Sequence, residues 1–351
     1  SLGRAYSPWP RDPFLYCRQA DGRIVLLARP NLQPGREADA DLARALVQGL
    51  PDDLDRAWGG VRWSRAPIPF HNGQVVFAAG SAWMSIHSVE LLALAKLGLD
   101  RVPVAEFGSS AGAARYLATT RTAAAELARF YGVTPRIVHP VAGDGAPADS
   151  TALMRTLSGG AGFDLDSWMT LLPAHSEADA GAAPTALVGD LGHGRRLVES
   201  AADGDLEPLR EAYGFLPATP DLRDALVAAQ GSERARGLAA FLDLVAAHLA
   251  RQGLRVSRLP LLLVPTSLLR DGDQAPAPDF LLTWANVVLE RKGGKLHAEG
   301  FASGFPKGDA VATDAFGRAG AELRLLPPLA RSIVLNGGYR CASNHLRRPI
   351  R

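Results

Sequence analysis

Phe70-His-Asn-Gly-Gln-Val-Val-Phe-Ala-Ala-Gly80 changes character halfway along. Polar residues around Gly73 give way to an apolar run, and Gly80 closes it. This is the pattern of a strand over residues 74–79. The chain then leads into an expected helix over 86–97 and an expected strand over 102–107. Residues 110–131 are Ala-rich with several Arg and Glu, a helix by composition. Strand and helix in alternation indicate the α/β class. Each unit is smaller than half of a Rossmann sheet, and no exact sequence repeat is found.

Working outward, Asp21-Gly22 lies between two apolar runs and predicts a hairpin. Residues 39–50 place Leu42, Leu46, Val47 and Leu50 at helical spacing behind an acidic first turn. Toward the C-terminus, 141–150, 174–183 and 271–279 read as loops. The short apolar pieces 186–188 and 196–198 flank a glycine-bearing turn. Residues 222–252 are expected to be helical with a weak point at Gly231-Ser232, and 309–320 to be a helix before an extended stretch at 321–326. Strands are expected at 259–264, 284–289 and 332–335.

The 351 residues are 47% hydrophobic and 21% charged, enough for a large buried core. A net charge of +2, with basic and acidic residues interspersed, leaves no stripe for nucleic acid. No apolar stretch approaches membrane-spanning length. Two cysteines, Cys17 and Cys341, are too few for a disulfide scaffold and lack the close Cys/His spacing of a zinc site, although a single bridge between them stays open. Scarce cysteine and no signal-peptide pattern give a cytoplasmic expectation, with Ser1 rather than Met at the start leaving room for residues upstream.

Three stretches carry chemistry. In Trp9-Pro-Arg-Asp-Pro-Phe14, Asp12 is either a buried functional carboxylate or the end of a strand and its turn. In Asn336-Gly-Gly-Tyr-Arg-Cys-Ala-Ser-Asn-His-Leu346, paired glycines set Cys341 at the mouth of a loop beside Arg340. A cation there lowers a thiol's pKa and makes it a nucleophile, whereas the plain alternative is a small buried hydrophobe. In Gly162-Phe-Asp-Leu-Asp-Ser-Trp-Met-Thr-Leu-Leu172, Asp164 and Asp166 would share one side of an extended strand and hold a cation between them. Alternatively one of them caps a following helix.

Together these stretches resemble the arginine deiminase and agmatine deiminase group of guanidine-modifying enzymes. Trp9–Phe14 is similar to that family's Phe-Thr-Arg-Asp-Pro-Phe, Gly337–Leu346 to its Gly-Gly-Pro-Arg-Cys-Met-Ser-Met-Pro-Leu, and Gly162–Leu172 to its Gly-Met-His-Leu-Asp-Thr-Val-Phe-Thr-Met-Leu. Phe70–Phe77 falls where the family has Glu-Gly-Gly-Asp before a strand. Thr283–Leu289, with Asp309-Ala310 downstream, looks like the agmatine deiminase Tyr-Leu-Asn-Phe-Leu stretch. The blocks keep the family's order over almost the whole chain. The resemblance implies the pentein fold, an α/β propeller of five ββαβ units with pseudo-fivefold symmetry, as a single domain over 1–351. It also implies cysteine-dependent hydrolysis of a guanidine compound (arginine, agmatine or peptidyl-arginine) through a thiouronium intermediate, with no cofactor and no metal. Asp12 and Asp166 would grip the guanidinium, Arg340, beside the nucleophile, is taken as a further substrate-binding residue, and Cys341 would attack. The implied partner is a small guanidine substrate or an arginine side chain, with no nucleic acid and no membrane; the sequence leaves the oligomeric state open.

The pattern breaks at the proton-transfer pair. The family's catalytic histidine falls on Asp164 and its paired glutamate on His71. Either the pair is kept with its members exchanged, His71 as acid/base and Asp164 orienting it, or the chain binds a cation without turnover. An amidinotransferase is the nearest enzymatic alternative. Among other histidines, His193 between two glycines is a weaker acid/base, and His345 lies past the nucleophile. His87 and His248 read as packed helix residues, and His139, His175 and His297 as loop residues. Gly108-Ser-Ser-Ala-Gly112 lacks a P-loop lysine and reads as a helix entry.

Overall fold

The computed structural model describes residues 14–19, 21–30, 37–57, 59–70, 72–78, 81–98, 110–138, 164–173, 183–270, 278–330 and 333. One motif recurs along it. In the first unit β1 (Phe14–Arg18) and β2 (Ile24–Ala28) form an antiparallel hairpin. The chain then crosses through α1 (Leu42–Gln48) and α2 (Asp52–Ala57) to β3 (Val61–Arg65), parallel to β2. The hairpin turns at Asp21-Gly22, with Gly22 in the left-handed region at φ 86°, the conformation glycine adopts without a steric cost.

The second unit repeats the scheme with β4 (Val75–Ala78), β5 (Ser81–Met84), α3 (Ile86–Leu97), α4 (Ser110–Tyr131) and β6 (Thr134–Ile137). In the third, β7 (Met169–Leu172) and β8 (Thr185–Asp190) are followed by four helices before β9 (Arg255–Pro265). These are α5 (Leu191–Glu199), α6 (Asp203–Tyr213), α7 (Thr219–Gln230) and α8 (Glu233–Arg251). β10 (Asp279–Thr283) adds antiparallel to the end of β9. The fourth is β11 (Val288–Lys292), β12 (Lys295–Phe301), α9 (Pro306–Arg318) and β13 (Ala321–Leu326). Each sheet is thus an antiparallel pair extended by a parallel strand, and the described residues contain four such ββαβ units. The mixed α/β class read from the sequence is the class observed. A fifth unit is not among the described residues.

Local sequence explains the elements. β9 is buried continuously from Leu259 to Val264, as befits a central strand covered on both faces. The weak point at Gly231-Ser232 separates α7 from α8, where the Ser232 hydroxyl caps α8 by accepting from Ala235 N at 3.1 Å. Four apolar clusters hold the units. One lies within the first unit, around Ile24, Leu26 and Ala43, and one within the second, around Met84, Val89 and Leu127. A third joins the second unit to the third through Val76, Trp83, Trp168 and Phe241, and the fourth joins the third to the last through Leu187, Leu262, Phe280 and Phe316.

Some expectations need correction. Residues 196–198 and Gly192-His193-Gly194 form helix α5 rather than a turn. Gly194 is required by packing: a Cβ there would lie 2.1 Å from the Leu261 carbonyl oxygen. Of the strand expected at 284–289, Val288 and Leu289 are strand, as the start of β11, while 284–287 form the connection from β10, where the Trp284 indole donates to Asp309 Oδ1 at 2.6 Å. His297 lies on β12 opposite Glu322, not in a loop. Of 332–335, expected as a strand, Ile333 is described and is helical, its N–H donating to Leu329 O at 3.2 Å. The strand expected at 102–107 lies outside the described residues. Among the described residues no helix is long and apolar enough to cross a membrane.

Gln230 shows how the central strand is completed. β8 pairs with β9 only as far as Pro260, leaving Leu263 without a strand on that side. The buried Gln230 amide takes the strand's place, with Nε2 donating to Leu263 O at 2.7 Å and Oε1 accepting from Leu263 N at 3.0 Å. Gln230→Leu leaves both backbone groups buried and unbonded. It is expected to lower unfolding free energy by about 3 kcal/mol in denaturant titration; a loss under about 1 kcal/mol would show that the amide is dispensable.

Candidate functional site

The polar motifs sit where each unit enters its first strand. Asn72–Gln74 forms a 3-10 turn running into β4, and Leu165–Ser167 forms another, followed by Trp168 and β7. Asp12 precedes Phe14, the first residue of β1, by two positions, and Trp284-Ala285-Asn286-Val287 leads into β11. Asp12, His71, Arg340 and Cys341 themselves lie outside the described residues, as do His139, His175 and His345. Asp164 and Asp166 are described.

The second and third units build their turns alike. Ser85 N donates to Gln74 O at 2.8 Å, and Gly189 N donates to Trp168 O at 2.8 Å. In each case the residue before the first strand is tied to the end of the second. The two turns lie against each other, and β4 lies against β7. At their junction the backbone of Gly73 meets the Asp164 carboxylate so closely that a Cβ on Gly73 would stand 2.6 Å from Oδ1 and 2.7 Å from Cγ.

The two aspartates do not share a strand face, nor does either cap an α-helix. Asp164 is extended (φ −107°, ψ 122°) at the head of the 3-10 turn and makes no side-chain cap bond, while Asp166 lies within the turn. The fold thereby separates their environments: Asp164 is partly buried and Asp166 wholly so, at 0% exposure between Leu165 and Trp168. A carboxylate with that little water is tolerated when it meets donors or a cation.

Gln74 was not singled out from the sequence, where it reads as the polar edge of an apolar run. In the structure it is also wholly buried, and neither Oε1 nor Nε2 finds a hydrogen-bond partner among the described residues. A glutamine flanked by Gly73 and Val75-Val76 was the available signal, since an amide rarely sits beside a buried strand without a task.

His193 belongs elsewhere. Its backbone N–H donates to Asp190 Oδ1 at 2.9 Å, and its charged neighbours are Asp190 at the end of β8, Arg196 on α5 and Arg318 on α9. Burial pushes its imidazole below the usual histidine range, with Asp190 opposing. His248 is buried on α8. Among the described residues no group of three or more His, Cys, Asp or Glu could hold a metal ion.

No protein-family model matches the sequence, and no curated protein matches it. Among solved structures the chain is similar to an X-ray structure described as a "putative agmatine deiminase". The identity is 9%, the alignment covers 95% of this chain and 72% of that chain, and the TM-score is 0.42. At that score the likeness carries no assignment. What the fold and site define by themselves is a mixed α/β protein of repeated ββαβ units, in which two strand-entry turns bring a glycine backbone, a buried amide and two aspartates together.

The Gly73–Asp164 contact is directly testable. Gly73 is not in the left-handed region, so alanine there meets only the contact. Gly73→Ala is expected to lose about 1–3 kcal/mol of stability. Most of that loss should disappear in the Gly73→Ala/Asp164→Gly double variant. Additive losses in the four-member cycle would show that the two residues do not touch.

Proposed function

We propose that the chain is a pentein-type guanidine-modifying enzyme that hydrolyses a C–N bond of a guanidine compound with Cys341 as nucleophile. Two observations on this chain support the reading. The described residues repeat the ββαβ unit that the motif resemblance implies. The single observation that carries the site is the seating of Gly73 on Asp164: the turn that begins next to His71 lies on the carboxylate proposed to orient that histidine.

The chemistry follows from the substrate. A guanidinium is a resonance-stabilised cation and resists attack until its charge is held and its leaving nitrogen protonated. Asp12 and Asp166 accept its planar fork of N–H donors. The Cys341 thiolate adds to the central carbon, forming the C–S bond. His71, oriented by Asp164, gives a proton to one nitrogen as the C–N bond breaks and ammonia departs. The resulting thiouronium is then attacked by water, whose proton returns to His71. Collapse expels the thiolate and leaves a ureido product. Net, guanidinium and water become a urea and ammonium. Arg340 lowers the Cys341 pKa from beside it.

The test is ammonia release across a panel of arginine, agmatine and peptidyl-arginine, with Cys341→Ala as control. Turnover by wild type and none by the variant is expected. Asp166→Ala is expected to weaken substrate binding by roughly 100-fold, the equivalent of about 3 kcal/mol for a lost charged hydrogen-bond partner. Saturable guanidine binding without ammonia would instead make the chain a cation-binding protein, since a third carboxylate near the guanidinium would favour cation binding and oppose thiolate formation. Amidino transfer to an added amine, without net hydrolysis, would make it an amidinotransferase. No binding of any guanidine compound would overturn the proposal.

A further inference from the structure

Among the described residues two glutamines are buried, and they are treated in opposite ways. Gln230 uses both ends of its amide on the backbone of Leu263 and a third bond, at 3.1 Å, on Leu226 O. Gln74, at 0% exposure, uses neither end among the described residues. A buried amide without partners is among the less favourable groups a core can hold, and leucine of similar length would avoid the penalty. Its chain neighbours Val75 and Val76, and Met84 paired with Val75, are apolar and buried. The backbone of Gln74 is already fixed by the bond from Ser85 N to its carbonyl. The remaining special feature of its position is the neighbour on its own turn, Gly73, pressed on the Asp164 carboxylate, one residue from buried Leu165 and two from buried Asp166.

We infer that Gln74 is a ligand-contacting residue, its carboxamide held in reserve for the bound group rather than for the fold. The inference rests on the guanidine reading and deepens it. With Asp164 and Asp166 already present, a further carboxylate would add like charge in a site with little water, whereas an amide adds an acceptor without charge. Gln74 Oε1 accepts an N–H of the planar cation, and its Nε2 donates to an oxygen acceptor in the occupied site. The amide therefore tightens binding of a monocation carrying several N–H donors and does little for a compact cation such as potassium.

The experiment compares wild type with Gln74→Leu and, as a second apolar variant of similar length, Gln74→Met. Thermal denaturation is measured without ligand, and binding of agmatine and arginine by calorimetry. The expected result is a higher Tm for the ligand-free variants together with at least a tenfold loss of affinity for the guanidine that wild type binds. Two results would overturn the inference: both variants melting below wild type, which makes the amide structural, or affinity within twofold of wild type. If wild type binds neither these probes nor a peptidyl-arginine, the guanidine reading and this inference fall together. If wild type binds and the variants bind equally, only the role of Gln74 falls.

Discussion

The candidate site depends on a residue with no side chain. Gly73 lets the backbone of one strand-entry turn settle onto the Asp164 carboxylate of another, at a separation no Cβ would tolerate. Because β4 follows Gly73 within two residues and β7 follows Asp164 within five, the contact also fixes how two units meet. Above it, Val76, Trp83 and Trp168 close a shared apolar core. The polar junction is thereby held between elements that packing keeps from moving independently.

Topology explains why polar turns gather at strand entries. In an antiparallel pair, the start of the first strand lies beside the end of the second, as the bonds to Gln74 O and Trp168 O show. The crossover helix departs from that same end, and the third strand, parallel to the second, finishes there too. One end of each unit therefore collects turn backbone, a strand terminus and a helix start, all able to carry polar groups. The other end is mostly spent on connections. Repeating the unit repeats the opportunity, and the motif residues differ from unit to unit while their place does not.

That repeat was invisible in residue identities, because it lives in strand order. The third unit holds four helices where the first holds two, so no fixed spacing survives. Elements set by local sequence were legible: α3 and α4 have the bounds composition gave them, and the break before α8 falls at Gly231-Ser232. Misreadings arose where a distant residue decides. Gly192-His193-Gly194 looks like a turn until Leu261 O is seen to demand a glycine inside the helix. Residues 284–289 look like one strand until the reach of Trp284 to Asp309 bends them. Asp164 and Asp166 look like one face of a strand, yet a 3-10 turn rotates them apart and sends only Asp166 fully inside. At the site, the aspartates were legible as residues but not as an arrangement, and Gln74 was not legible at all.

The exchange at the proton-transfer pair and the amide at Gln74 bear on each other through charge. In the resemblance, Glu-Gly-Gly-Asp aligns its glutamate with His71 and its aspartate with Gln74, while the histidine falls on Asp164. Swapping histidine and carboxylate across the junction leaves the number of acidic groups unchanged. Replacing the second acid of that motif by Gln74 removes one. In the proposed enzyme the difference favours the nucleophile, since each nearby carboxylate makes a thiolate harder to form. There the exchange would move a carboxylate to Asp164, and neutral Gln74 would relieve part of the crowding on the adjoining turn, next to the contact between Gly73 and Asp164. Two departures that look like separate losses of the pattern then become one rearrangement, in which acceptors are kept, one charge is dropped, and the geometry is held by a glycine.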